Sequence, residues 1–170
     1  TAAFVKANPN TCRAAIMAIL EASRWIDASV ANRVKMTQTI AEKSYVNTSV
    51  DVIQARILGR YQNGLNGAKG KTWDDPNPMR FFNDGAVNYP YASDGMWFMT
   101  QHKRWGLLKA HPDYAAVAAS VSQTALYKEA ASALKISLPK GELRTSTLMD
   151  GKVWNGSNPA AYADSFKIKG

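Results

Sequence analysis

The sequence predicts a mainly α-helical chain, on three observations. Apolar residues recur at helical spacing in one segment after another. Several of those segments open on Asn, Ser, Thr or Asp, the residues that cap helix starts. No stretch alternates apolar and polar residues for long enough to build a sheet.

Asn8-Pro9-Asn10-Thr11 supplies capping residues before the first long apolar segment, residues 11–28. There Arg13, Glu21 and Arg24 fall on one narrow stripe, while Ile16, Ile19, Leu20 and Ile26 cover most of the rest, which predicts a helix buried on most sides. Asn32 caps a second helix to about Lys43. Asn47-Thr48-Ser49 leads into a third, in which Val50, Ile53 and Ile57 share a face and Gly59 is the stop. Residues 59–78 read as a loop: Asn63-Gly64, Asn66-Gly67 and Gly70 are turn signals, followed by Pro76 and Pro78. A loop of that length is uncommon in a compact domain and points to a functional or mobile segment.

Residues 79–82 suit a short helical turn, and Tyr89-Pro90-Tyr91 an extended strip. Ser93 or Asp94 then caps a helix to about Leu108 that carries Met96, Trp97, Phe98, Trp105 and Leu107. Two further helices follow at residues 112–120 and 124–135, the second rich in alanine. Asn158-Pro159 opens a final helix to about Phe166, with proline at its favoured first position. No internal repeat, low-complexity stretch or domain boundary stands out, so residues 1–170 read as a single helical region.

The 170 residues suffice for a real core, and 46% apolar with 20% charged residues is ordinary for a globular protein. No apolar run approaches the ~18 residues that span a bilayer. A single cysteine, Cys12, excludes an internal disulfide. Thr1 stands where an initiator methionine would, and no basic and apolar leader follows, so the start reads as a cut or processed end. The net charge of +8 opens a nucleic-acid reading, but the cations are scattered. Lys103-Arg104 with Lys109 is the densest group, and no helix carries a concentrated basic face. A diffuse positive field also favours a small anion.

The search for catalysis is negative. The glycine-loop, zinc-helix and nucleophile-elbow motifs are absent. Gly64-Leu65-Asn66-Gly67 with Gly70-Lys71-Thr72 has phosphate-loop residues at the wrong spacing, so a plain turn-rich loop is the better reading. His102 and His111 share no helix face, and neither has a carboxylate or thiol at a metal-ligand spacing. Asp74-Asp75 is an adjacent carboxylate pair beside Pro76, where Asp suits a turn. Trp97, Trp105, Arg104, Tyr89 and Tyr91 either form a wall for a planar ligand or are helix core with Arg104 packed on an aromatic; the core reading is preferred. Backbone N–H groups and the dipole make helix starts natural anion sites, and Asn10 and Thr11 sit at one. The plainer reading is that they cap the helix. No catalytic residue, metal site or cofactor is expected.

Several segments, in order, resemble one family. They are Asn8-Pro9, then Leu20-Glu21-Ala22-Ser23-Arg24-Trp25-Ile26-Asp27, Ala31-Asn32-Arg33, Tyr45-Val46-Asn47, and Gly59-Arg60-Tyr61-Gln62-Asn63-Gly64. Further on come Asn88-Tyr89-Pro90-Tyr91 and Ser93-Asp94-Gly95-Met96-Trp97-Phe98-Met99-Thr100-Gln101-His102-Lys103-Arg104-Trp105-Gly106. Leu126-Tyr127-Lys128-Glu129-Ala130-Ala131, Asp150-Gly151-Lys152-Val153-Trp154 and Pro159-Ala160-Ala161-Tyr162 complete the series. Each motif alone is weak, and their joint order is strong. The pattern resembles the C-terminal portion of the nitrate/bicarbonate-binding proteins of ABC importers, the nitrate branch most.

That resemblance implies a periplasmic, non-enzymatic receptor, often tethered to the membrane by a lipid, which captures nitrate, nitrite or bicarbonate and delivers it to an ABC permease. It implies a two-lobed α/β clamp of the periplasmic-binding-protein type, closing by a hinge. The chain would be its helical C-terminal part, incomplete without an N-terminal α/β segment. Most ligand residues would then lie outside these 170 residues, leaving Asn10 and Thr11 as the candidates within them. Relatives also occur as cytoplasmic sensors or as control domains fused to the transporter ATPase, so a nitrate-sensing module is the alternative. No nucleic-acid partner is implied.

Overall fold

A computed structural model describes residues 1–62 and 72–166. The elements run α1 (Ala2–Ala7), α2 (Pro9–Asp27), α3 (Val30–Ala41), α4 (Val50–Ile57), β1 (Arg60–Gln62), β2 (Thr72–Asp74), α5 (Ala92–Arg104), α6 (Tyr114–Ser122), α7 (Thr124–Ala133), β3 (Ser146–Thr147), β4 (Val153–Trp154) and α8 (Pro159–Asp164). The helical class predicted from sequence is the class observed. The chain divides into two compact units, one of Thr1–Met17 with Tyr89–Gly170 and one of Ala18–Asn88.

In the unit of residues 18–88, α3 packs on α4, and Leu20, Met36, Thr37 and Ile57 are buried. A polar clamp organises its surroundings. Ser29 Oγ accepts from the Asn32 N–H at 3.0 Å and so caps α3, three residues before the Asn32 expected from sequence. The Asn32 side chain instead donates to Trp25 O at the end of α2, at 2.6 Å. Arg33 donates to Ile57 O at 2.9 Å, to Met79 O at 2.8 Å and to the Asp27 carboxylate. The other oxygen of Asp27 accepts from Phe81 N at 2.9 Å and Phe82 N at 2.8 Å. A carboxylate that receives a guanidinium and two backbone N–H groups is charge-assisted on every side.

That clamp corrects one expectation. Residues 79–82 form no helical turn, because Phe81 and Phe82 give their N–H groups to Asp27, and Asn83, Asp84 and Gly85 follow with positive φ. A second correction concerns residues 59–78. Strands β1 and β2 pair antiparallel there, Arg60 opposite Asp74 and Gln62 opposite Thr72. Three-residue strands are too short to show alternation. Gly59 makes the turn into β1 at φ +70°, and a Cβ there would stand 2.8 Å from Pro78 Cβ. The turn signals Asn63-Gly64, Asn66-Gly67 and Gly70, and with them the phosphate-loop resemblance, lie outside the described residues.

In the other unit α5 packs on α6 and α8. Its core is Met96, Tyr114, Ala118 and Trp154, with Trp97, Met99, Ala160 and Tyr162 against it. Trp154 Nε1 donates to Ser93 O at 3.0 Å, and Ser93 Oγ accepts from Arg144 N at 3.0 Å. Ser93 is therefore wholly buried inside the first turn of α5 and not its cap. Tyr89, Tyr127, Ala130, Ala131 and Ile136 are buried as well, with Tyr89 and Tyr127 in ring contact. Asn158 caps α8 through Ala161 N at 3.1 Å with Pro159 at its start, as predicted.

Helix α5 stops at Arg104, four residues short of the expected Leu108. Gly106, at φ +75°, ends it, with Leu107 N and Leu108 N both returning to His102 O. That is a glycine-terminated helix end. Trp105 and Leu107 thus leave the helix and are exposed, which corrects the core reading of Trp105. Two other differences stand at the N-terminus. The short helix α1, capped by Thr1, was not foreseen. Helix α2 buries only Leu20 and Ser23 and exposes Ile19 and Trp25, so it is not buried on most sides.

Candidate functional site

Asn10 and Thr11 sit in the first turn of α2, just after Pro9, and both are exposed. Asn8, which ends α1, provides the carbonyl that receives Cys12 N at 3.1 Å. The helix therefore starts two residues earlier than expected, and Asn10 and Thr11 lie inside it and not ahead of it. Their backbone N–H groups are among the orphan donors of a 19-residue helix. Among the described residues neither side chain makes a hydrogen bond, and neither lines any of the three cavities considered below. What stands here is an open set of backbone donors.

The aromatic and cationic residues do not form one wall. Tyr89 meets Tyr91 and Tyr127 edge-on, with ring centroids 4.8 and 5.3 Å away. Burial pushes the pKa of the Tyr89 and Tyr127 phenols up from the ordinary 10.0. Lys128 beside them donates to Glu142 at 2.8 Å, and that hydrogen bond raises its own pKa. Arg104 stacks on Phe166 at 3.5 Å and donates to Gln101, so it packs on an aromatic as the core reading held. Trp97 Nε1 donates to the Tyr162 hydroxyl at 3.3 Å.

The two histidines stand in different surroundings. His102 is exposed. His111 lies between the Tyr114 hydroxyl, 2.9 Å from Nδ1, and Asp164, 3.2 Å from Nε2. No group of three metal-ligating side chains gathers among the described residues.

Three cavities have distinct chemistry. The largest, about 860 Å³, is bounded by the starts of α6, α7 and α8 with Met96 and Leu143. Its carboxylates are engaged: Asp113 caps α6 through Ala116 N, and Glu142 takes Lys128. The walls are otherwise mostly alanine, proline and small polar residues, which suits neutral groups. A cleft of about 570 Å³ in the unit of residues 18–88 is lined by Arg24, Arg33 and Arg80 with Asp27 and Asp84. Three guanidinium groups against two carboxylates leave it positive, although Arg33 is already committed to the clamp. These residues are spread from position 24 to position 84, so no local pattern in the sequence marks the cluster. A third cavity, about 260 Å³, lies between Trp97, Phe98 and Trp154, beside the Asp94–Arg144 pair.

The arrangement of helices has a solved counterpart. The crystal structure of the periplasmic nitrate-binding protein NrtA from Synechocystis PCC 6803 matches 99% of this chain with a TM-score of 0.87 at 34% identity. In sequence, the nitrate/nitrite binding protein NrtA of Synechocystis is 34% identical over 98% of the chain. The bicarbonate-binding protein CmpA of Synechococcus elongatus is 32% identical over 98% of it.

The chain is homologous to part of the nitrate- and bicarbonate-binding proteins.

It covers 37% of that NrtA sequence, 38% of CmpA and 44% of the NrtA crystal structure, well under two thirds of each. The same match reaches the nitrate import ATP-binding protein NrtC of Synechocystis, 30% identical over 97% of this chain and 24% of that protein. No protein-family model matches. The binding-protein homologues are named for binding, not for catalysis, and the NrtA of the crystal structure is periplasmic. No helix among the described residues is long and apolar enough to cross a membrane.

Proposed function

We propose that this chain is the helical part of an extracytoplasmic solute-binding protein that captures nitrate, or a related small oxyanion, for an ABC importer. The observation that carries this is the joint match in sequence and fold to NrtA across nearly the whole chain. Bicarbonate is the next ligand to consider, because CmpA matches almost as well. The protein binds and does not catalyse, works outside the cytoplasm beside the permease, and carries a lipid anchor. The anion site needs a further α/β segment. The exposed faces of α1 and α2, with Phe4, Ile19 and Trp25, suit cover by such a segment.

Within this receptor the first turn of α2 is the contribution of the chain to the anion. Nitrate is planar and weakly basic, so it is held by N–H donors more than by a strong base. The Asn10 amide and the Thr11 hydroxyl add side-chain donors to the backbone N–H groups of that turn, so Asn10→Ala or Thr11→Ala in the whole protein weakens nitrate binding by up to about tenfold, the effect of one lost polar contact. Unchanged affinity in both variants removes the two side chains from the site.

Disrupting the gene tests the receptor reading. Loss of nitrate uptake at low external nitrate, restored by the intact gene, supports it, and unchanged uptake overturns it. The match to NrtC supports a second reading, a nitrate-sensing control module. In that case uptake persists after disruption but no longer responds to nitrate supply.

A further inference from the structure

From Gly95 to Pro112 the chain contains no carboxylate, and its charged residues there are Lys103, Arg104 and Lys109. Phe98 at mid-helix, His102 in the last turn and Trp105 at the C-cap are spaced four and three apart, so they follow one side of α5 to its end. Phe98 is 60% exposed and Trp105 is 64% exposed. The left-handed turn at Gly106 brings Leu107 next in the chain, 69% exposed. Single exposed apolar residues are ordinary, but an exposed tryptophan and leucine two residues apart at a helix end, with an exposed phenylalanine about two turns earlier on the same face, are not.

The charges around this tip are sorted. Asp94, one turn before Phe98, has both its oxygens on Arg144, at 2.9 Å from Nε and 2.8 Å from Nη2. Arg104 is turned onto Phe166. Lys103 and Lys109 make no ion pair among the described residues. The segment is thus exposed and apolar at Trp105 and Leu107, cationic at Lys103 and Lys109, and without an acid between Gly95 and Pro112.

We propose that this tip is a contact surface for an anionic phospholipid bilayer. Trp105, Leu107 and Phe98 enter the boundary between headgroups and acyl chains, and Lys103 and Lys109 meet the phosphates. The indole body leaves water while its N–H stays at headgroup level. The lysine stems extend along apolar surface with their ammonium groups in the polar layer. A shallow apolar wedge flanked by lysines is the pattern of surface binding, and the net charge of +8 adds long-range attraction to an anionic leaflet. The proposal rests on this surface alone, so its failure leaves the anion-receptor reading untouched.

The test is co-sedimentation of the whole protein that carries this chain, prepared without a lipid anchor, with vesicles of mixed phosphatidylglycerol and phosphatidylcholine, against vesicles of phosphatidylcholine alone. Binding to the anionic vesicles, weakened by added salt, is expected. The double variant Trp105→Ala, Leu107→Ala lowers the partition coefficient by roughly tenfold or more, the effect of losing two buried side chains. Its thermal midpoint stays unchanged, because both sites are exposed. Val153→Ala, an exposed change elsewhere, leaves partition unaltered. No binding to anionic vesicles, or binding that the double variant does not weaken, overturns the proposal. Self-association abolished by the double variant, without vesicle binding, also overturns it and makes the tip a contact between proteins.

Discussion

The two compact units are held by different chemistry. In residues 18–88 the decisive contacts are polar: Asp27 gathers Arg33, Phe81 N and Phe82 N, and Arg33 reaches on to two carbonyls. The other unit closes on large rings, with Trp154 against Tyr162 at 4.7 Å and Met96 and Tyr114 beside them. A polar clamp is directional, and losing one partner strands the others. An apolar core is tolerant in direction but sensitive to volume. The difference tells where each unit breaks.

The largest effect is expected in the aromatic core. Trp154→Ala removes a buried ring and its hydrogen bond to Ser93 O, for a loss of about 4 kcal/mol, while Trp154→Phe recovers a good part of it. Urea denaturation of both variants measures this, and equal losses would show that ring volume is not the term that matters. Next comes the clamp. Asp27→Ala strands Arg33 and two N–H groups for about 2 kcal/mol, less than for a fully buried pair because both side chains are 15% exposed. If Asp27→Asn is as stable as the parent, charge assistance contributes nothing there. Gly59→Ala follows at about 1 to 2 kcal/mol, from a positive φ and the approach to Pro78.

The smallest effect separates the units by pH. Burial raises the pKa of Tyr89, Tyr114 and Tyr127 above the ordinary 10.0, and all three lie in the aromatic unit. In the unfolded chain these phenols ionise near 10.0, while in the fold they keep their protons. Their contribution is therefore complete below that pH and is lost as pH rises through the higher folded values. Denaturation midpoints measured across the alkaline range should fall beyond 10.0, and Tyr127→Phe should blunt the fall. A midpoint independent of alkali would contradict the burial of these phenols.

Much of the fold was legible because helix ends carry local chemistry. Asn158-Pro159 announces α8, and the spacing of Val50, Ile53 and Ile57 announces α4. What escaped depends on distant partners. The pairing of Arg60 with Asp74 spans residues whose strands are too short to alternate, and the Asp27 clamp joins positions more than fifty apart. At Gly106 the helix end was written in the sequence but overridden by the apolar pattern running through it, which misplaced Trp105. The homology to part of the nitrate- and bicarbonate-binding proteins was legible from ordered motifs. The candidate site was not, because Asn10 and Thr11 are ordinary helix-start residues and the arginines of the second cleft converge only in the folded unit.

Whether this chain is part of an anion receptor is decided by calorimetric titration of nitrate into the whole protein that carries it and into the 170-residue chain, with bicarbonate as control. Saturable nitrate heat is expected in the whole protein and little in the chain alone. No heat from either anion in the whole protein would contradict it.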